Sequence, residues 1–290
     1  MKHYLSIWKM LWQRLWKAKL ALLLTILLCQ FLRWLAAPDT SSLLWLAGIG
    51  LGIFVLFDLA MAFWMYTKMK RSMPYYQFVE DFGPCEEAVD LHRKLFQNPK
   101  PGERLALADL LLSMFRAEEA EAVLMQLRPE GLIGIERLRY LNAMLLVYAY
   151  TGRKQQLWQM FQSCRQEAGR LTEKNPIFAL SYFNTADLAL AMNGDVDGSE
   201  MYCQYVEREA AKKRGIEKAN AQLLAMITRT ERLYALGWRD VAAAMETHTR
   251  TEIENCKEFR KAWKRDVLMN LLNHAKTLAP KPVPPAPSVK

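Results

Sequence analysis

The side chains best suited to metal or nucleophilic chemistry are four histidines, at 3, 92, 248 and 274, and five cysteines, at 29, 85, 164, 203 and 256. No histidine falls in HExxH or another metal-ligand spacing, and no CxxC occurs, so no metal site is expected. GxSxG, GxxxxGKT and a GxGxxG between strand and helix are missing too, which removes the usual nucleophile elbow and phosphate cradles. The nearest approach to a metal loop is NGDVDGSEMYCQ, residues 193–204, with oxygen-bearing residues and Gly198 at calcium-loop spacing. It lacks the bidentate carboxylate: Gln204 stands there, and Glu200 replaces an apolar residue. Turn chemistry explains Asn193, Gly194, Asp195 and Asp197 instead. The chain is read as a non-enzyme with no cofactor.

A second set of suggestive residues lies in the apolar N-terminal region. Residues 20–37 hold one charge, Arg33, and residues 43–66 hold one, Asp58. At about 1.5 Å per residue these stretches reach roughly 27 and 36 Å, against a bilayer core of about 30 Å. They predict a two-helix transmembrane hairpin turning at residues 38–42, PDTSS. Gly48 and Gly52 form a GxxxG pair that, with Asp58, suits packing between spans or self-association through them. Trp8, Trp12 and Trp16 share one face of residues 1–19, and the basic residues lie largely on the others, as in an amphipathic lead-in helix at a lipid interface. Basic flanks before and after the spans put both ends on the same side. The expectation is an integral membrane protein of the cytoplasmic membrane with both termini cytosolic and the bilayer as a partner.

The remainder is built differently. From position 67 apolar residues recur at three- and four-residue spacing without strand-like alternation, so residues 67–278 read as an all-α domain. The 33 basic and 28 acidic residues of positions 67–290 are too balanced to argue for nucleic acid, although the whole chain carries +9. A long amphipathic helix is expected over residues 249–278, and the Pro-rich residues 279–290 read as a flexible tail.

A turn pattern recurs along this domain: FGPCEEA (82–88), MFRAEEA (114–120), TGRKQQL (151–157), NGDVDGS (193–199) and LGWRDVA (236–242). Each turn residue, Gly83, Phe115, Gly152, Gly194 or Gly237, is followed five positions on by Ala88, Ala120, Leu157, Ser199 or Ala242. Mostly small residues there let two helices lie close. The segment spanning 106–129 resembles the tetratricopeptide repeat family, with Ala108, Ala120 and Leu124 at its small and apolar positions. Tyr148, Gly152 and Phe161 match its aromatic and turn positions in the next pair. The resemblance covers about residues 75–250. Successive turns are 32, 37, 42 and 43 residues apart, lengthening past that family's standard unit of about 34, and a generic right-handed helical solenoid is the alternative.

The resemblance implies an α-solenoid of antiparallel helix pairs whose first helices line a concave groove for a peptide or a partner's helix. It places Arg139, Asn142, Tyr150, Ser181, Asn184, Glu231 and Tyr234 on that groove. The expected function is a membrane-anchored, non-enzymatic scaffold that binds a protein partner. The alternative is a small accessory subunit of a transporter or secretion complex acting through its transmembrane hairpin.

Overall fold

The structure, a computed structural model, describes residues 70–259 and 261–280, and toward the N-terminus 24–26, 28, 32, 48–49, 52–60, 63 and 67. It divides into two units, residues 1–74 and 75–290. From position 73 the helices are α1 (Met73–Phe82), α2 (Glu86–Leu95), α3 (Pro101–Ser113), α4 (Ala117–Leu124), α5 (Gly134–Tyr150) and α6 (Lys154–Lys174). There follow α7 (Pro176–Met192), α8 (Val196–Ala211), α9 (Gly215–Ala235), α10 (Arg239–Asn255) and α11 (Ala262–Ala275), with 3-10 turns at Pro129–Gly131 and Lys276–Leu278. No strand occurs among the described residues, in keeping with the all-α expectation.

The expected integral membrane protein is not borne out: among the described residues no helix is long and apolar enough to cross a membrane. Length and apolarity do not coincide. α6 and α9, at 21 residues each, carry charges such as Arg165, Glu167, Arg229 and Glu231 along their length. α7 is apolar but has 17 residues, about 25 Å against a core of about 30 Å. Within the expected second span the longest continuous described helix is residues 52–60, with Asp58 inside it. Gly48 and Gly52 are helical, and among the described residues nothing lies within 4 Å of a Cβ built on either, so no close helix approach is seen there. Trp8, Trp12, Trp16, all of residues 1–19 and 38–42, and most of 20–37 and 43–66 lie outside the described residues. The transmembrane reading and the integral-membrane localisation fall with the hairpin.

The recurring turns are where the sequence placed them. Gly83, Phe115, Gly152, Gly194 and Gly237 have φ of +80°, +59°, +69°, +83° and +81°. In four of them the next N–H reaches back five residues: Arg116 to the Leu111 carbonyl at 2.9 Å, Arg153 to Tyr148 at 2.9 Å, Asp195 to Leu190 at 3.0 Å and Trp238 to Leu233 at 3.0 Å. This is a Schellman cap, which satisfies carbonyls left orphaned at a helix end and needs a left-handed residue. Gly83 uses the simpler form, its N–H bonding the Val79 carbonyl at 2.9 Å. Five residues on, Ala88, Ala120, Ser199 and Ala242 are 0% and Leu157 1% exposed, so the second helix does press against the first there.

Each turn joins two helices, and α3, α5, α7 and α9 each pack on their own partner and on the next first helix. A continuous apolar core runs from Tyr75 through Leu111, Leu145 and Tyr182 to Ala191. Its far end differs from expectation. Residues 249–278 are not one helix: α10 stops at Asn255, Cys256 turns out at φ −66°, ψ 112°, and α11 begins at Ala262. The Arg265 guanidinium donates to the Cys256 carbonyl at 2.6 Å and holds that corner. The tail also starts later than expected, because Arg239 donates to the Pro280 carbonyl at 2.8 Å and Ala279 packs beside Leu233 and Ala242.

Candidate functional site

Four of the seven expected groove residues share one cleft. Arg139, Asn142 and Tyr150 from α5 and Ser181 from α7 line a space of about 340 Å³, with Asp109 and Ser113 of α3 and Leu271 of α11. Helical spacing puts positions 139, 142, 146 and 150 on one side of α5. The Arg139 guanidinium donates twice to Asp109 Oδ2, at 3.1 and 2.5 Å, and sits 5.8 Å from the Phe178 ring centre. Burial raises the Asp109 carboxyl above its ordinary range, and Arg139 opposes the shift. Asn142 Nδ2 donates to Ser181 Oγ at 3.1 Å, while its Oδ1 is buried with no hydrogen-bond partner. Burial and the nearby Glu231 push the Tyr150 hydroxyl well above its usual range, so it is a neutral group.

The other three residues are placed differently. Asn184 of α7 and Glu231 of α9 do not line this cleft; each keeps a buried oxygen without a partner. Burial lifts the Glu231 carboxyl to about 8. Tyr234 departs from the groove expectation altogether. It is 6% exposed, and its hydroxyl donates to Glu246 Oε2 at 2.7 Å, between the two helices of its own pair. Glu246 also meets Arg250 and Lys276, each at 3.0 Å. A polar junction thus occupies the position where the repeat family has an aromatic residue, and Tyr234 is turned toward it.

Sequence reading missed a buried ionic cluster. Arg232 of α9, 4% exposed, donates to Ser199 Oγ at 2.6 Å and meets Glu200 at 2.7 Å and Asp187 at 3.8 Å. Asp187 is fully buried in α7 and neither oxygen has a hydrogen-bond donor; burial raises its carboxyl to about 8, with Arg232 opposing. Its one signal in the sequence is an acid inside the apolar run TADLALAM. The cluster ties three consecutive helices, α7, α8 and α9, together.

None of these arrangements activates a nucleophile. The thiols of Cys164 and Cys203 are buried and pushed up to about 11 and 12, away from the thiolate form. His92 is 1% exposed, bonded to the Glu103 carbonyl at 2.9 Å and set among Tyr75 and Phe96, which is a packing role. Asp195 of the calcium-like stretch caps α8, its Oδ1 accepting from Gly198 N at 2.9 Å. Among the described residues no group of three or more His, Cys, Asp or Glu is placed to hold a metal ion. No family model matches the chain, and neither a curated protein nor a solved structure matches it.

Proposed function

We propose that residues 67–278 form a tetratricopeptide-like α-solenoid that acts as a non-enzymatic scaffold, holding a protein partner in the concave groove along its first helices. The repeated left-handed turns and the serial packing of α3, α5, α7 and α9 support the repeat reading. The observation that carries the binding reading is the cleft itself, where Asn142 Oδ1 is a buried acceptor with no donor. Such an acceptor is costly to bury alone, at about 1–3 kcal/mol, and a backbone N–H of a bound segment would satisfy it. Beside it the Asp109–Arg139 pair offers both signs of charge, and Leu138, Leu146 and Phe178 offer apolar surface, the mixture that suits a peptide or helix.

Asn142→Ala with Asn184→Ala tests this, because both remove orphaned acceptors and the folded chain loses just the 3.1 Å bond to Ser181 among the described contacts. The variant should melt within a few degrees of the parent. Proteins co-purifying with each are identified by mass spectrometry. A partner held by the parent and lost from the variant is the expected result; identical partners for both would place binding elsewhere.

A further inference from the structure

α11 carries two apolar stripes, one residue out of phase. Leu268, Leu272 and Ala275 form one; they are 3%, 0% and 0% exposed and pack against α9 and α10. Trp263, Leu271 and His274 form the other, and this stripe meets the turns of the first three helix pairs. The Trp263 ring lies so close to Gly83 that a Cβ there would stand 2.6 Å from it. The His274 ring stacks on Phe115 at 4.2 Å and meets Tyr150 edge-on at 4.6 Å. Ahead of the helix, Lys261 Nζ donates to the Glu80 carbonyl at 2.6 Å and to Asp81 at 2.9 Å.

These contacts break the pattern of the fold. Helical-repeat chains touch their sequence neighbours, whereas Lys261 and Glu80 are 181 residues apart. They are also incompletely sealed. Clefts of about 340 and 370 Å³ both border Leu271, and Trp263 Nε1 and His274 Nδ1 are buried without partners. The Lys261 pair is half-exposed to water, where such pairs hold weakly. One stripe therefore anchors α11 while the other makes a loose, separable contact.

We propose that α11 occupies the groove in cis, and that the trans partner is an amphipathic helix of the same chemistry, a basic residue with tryptophan two positions on. The inference rests on the groove reading above and narrows it from any peptide to a helix. The surface it takes is the one α11 covers: Asp81 and the Glu80 carbonyl for the cation, the side-chain-free Gly83 for the indole, and Phe115 with Tyr150 as an aromatic seat. When the loose stripe lets go, α11 stays on α9 and α10 through Leu268 and Leu272.

The test uses the full chain and a fluorescein-labelled synthetic peptide of residues 261–278, read by fluorescence anisotropy. Three proteins are compared: the parent, a Trp263→Ala, His274→Ala variant, and the parent closed by a zero-length amide between Lys261 and Asp81. The variant keeps the anchoring stripe. It should bind the peptide at least tenfold more tightly than the parent, and the closed protein at least tenfold more weakly. Adding Asp81→Lys to the variant should remove most of the gain. Equal affinity for all three would overturn cis occupancy and leave the groove reading standing. No peptide binding by the double variant would overturn the helix partner, while the groove reading is judged separately by the Asn142→Ala, Asn184→Ala co-purification.

Discussion

Phe115 sets a backbone preference against a side-chain contact. It holds φ +59° in a Schellman turn where the three later pairs have glycine, and it is the one non-glycine with positive φ among the described residues. A left-handed non-glycine residue costs about 1–2 kcal/mol. Glycine would release that, less about 0.5–1 kcal/mol for the freer unfolded chain. On the backbone alone, Phe115→Gly should stabilise by up to about 1.5 kcal/mol. The ring opposes this. It is half-buried, worth about 1–1.5 kcal/mol as half of a full burial, and its stack on His274 at 4.2 Å and 13° adds about 0.5–1.5 kcal/mol. The net expectation is destabilisation of about 1 kcal/mol. In a His274→Ala background the stack has already gone, so the same substitution should be near neutral. Urea denaturation of the four proteins in this cycle should give a coupling energy of about 0.5–1.5 kcal/mol. Additivity within about 0.3 kcal/mol, or stabilisation by Phe115→Gly in the parent, would refute the claim that this residue is retained for its contact with α11.

Three further outcomes follow from the packing and the buried charges. Ala120 is 0% exposed where α4 presses on its pair, so Ala120→Leu should lower stability by about 1–3 kcal/mol in denaturant titration, and an unchanged midpoint would mean the helices are not in close contact there. Asp195→Ala removes the side-chain cap of α8 and should cost about 1 kcal/mol, measured the same way, with the loss confined to exchange protection in the first turn of α8. Glu231 holds its proton up to about 8 when folded and releases it at about 4.3, the ordinary glutamate value, when unfolded. The folded state thus binds more protons between those values, and stability falls as pH rises through that window. Glu231→Gln should flatten the decline of Tm between pH 5 and 8.5; an identical slope would show that Glu231 is ionised in the fold.

What the sequence revealed is what neighbouring residues decide. A Schellman cap is closed within six residues, so the spacing of turn residue and small residue marked it, even at Phe115 where the glycine is missing. The resemblance put Asn142 and Ser181 on one side of the repeat because both lie on first helices, but the hydrogen bond between them was not read from the sequence. Tyr234 was misplaced because its orientation is decided by Glu246 on the following helix, through a hydrogen bond that no turn pattern encodes. The Arg232 and Asp187 pairing was invisible because each charge looks isolated in its own apolar run. The membrane reading erred by a related route, since hydropathy over a window of residues was taken for a long continuous helix, and the described residues contain none of the required kind.

Gly83 shows where local reading stops. Its φ of +80° is a local demand that glycine meets freely and that asparagine meets with less strain than other side-chain-bearing residues. Its second demand comes from Trp263, whose ring leaves no room for a Cβ. Two substitutions that differ in which demand they break therefore separate the levels. Gly83→Asn keeps the turn and strikes the indole, so it should leave α1 and α2 folded while loosening α11, read as faster amide exchange across residues 262–275. Restoring space with Trp263→Ala in the same chain should not slow that exchange, since the aromatic contact is then gone, but it should recover the stability lost to the clash. If Gly83→Asn leaves exchange in α11 unchanged, the indole does not rest on that turn, and the proposed cis occupancy of the groove by α11 loses its first contact.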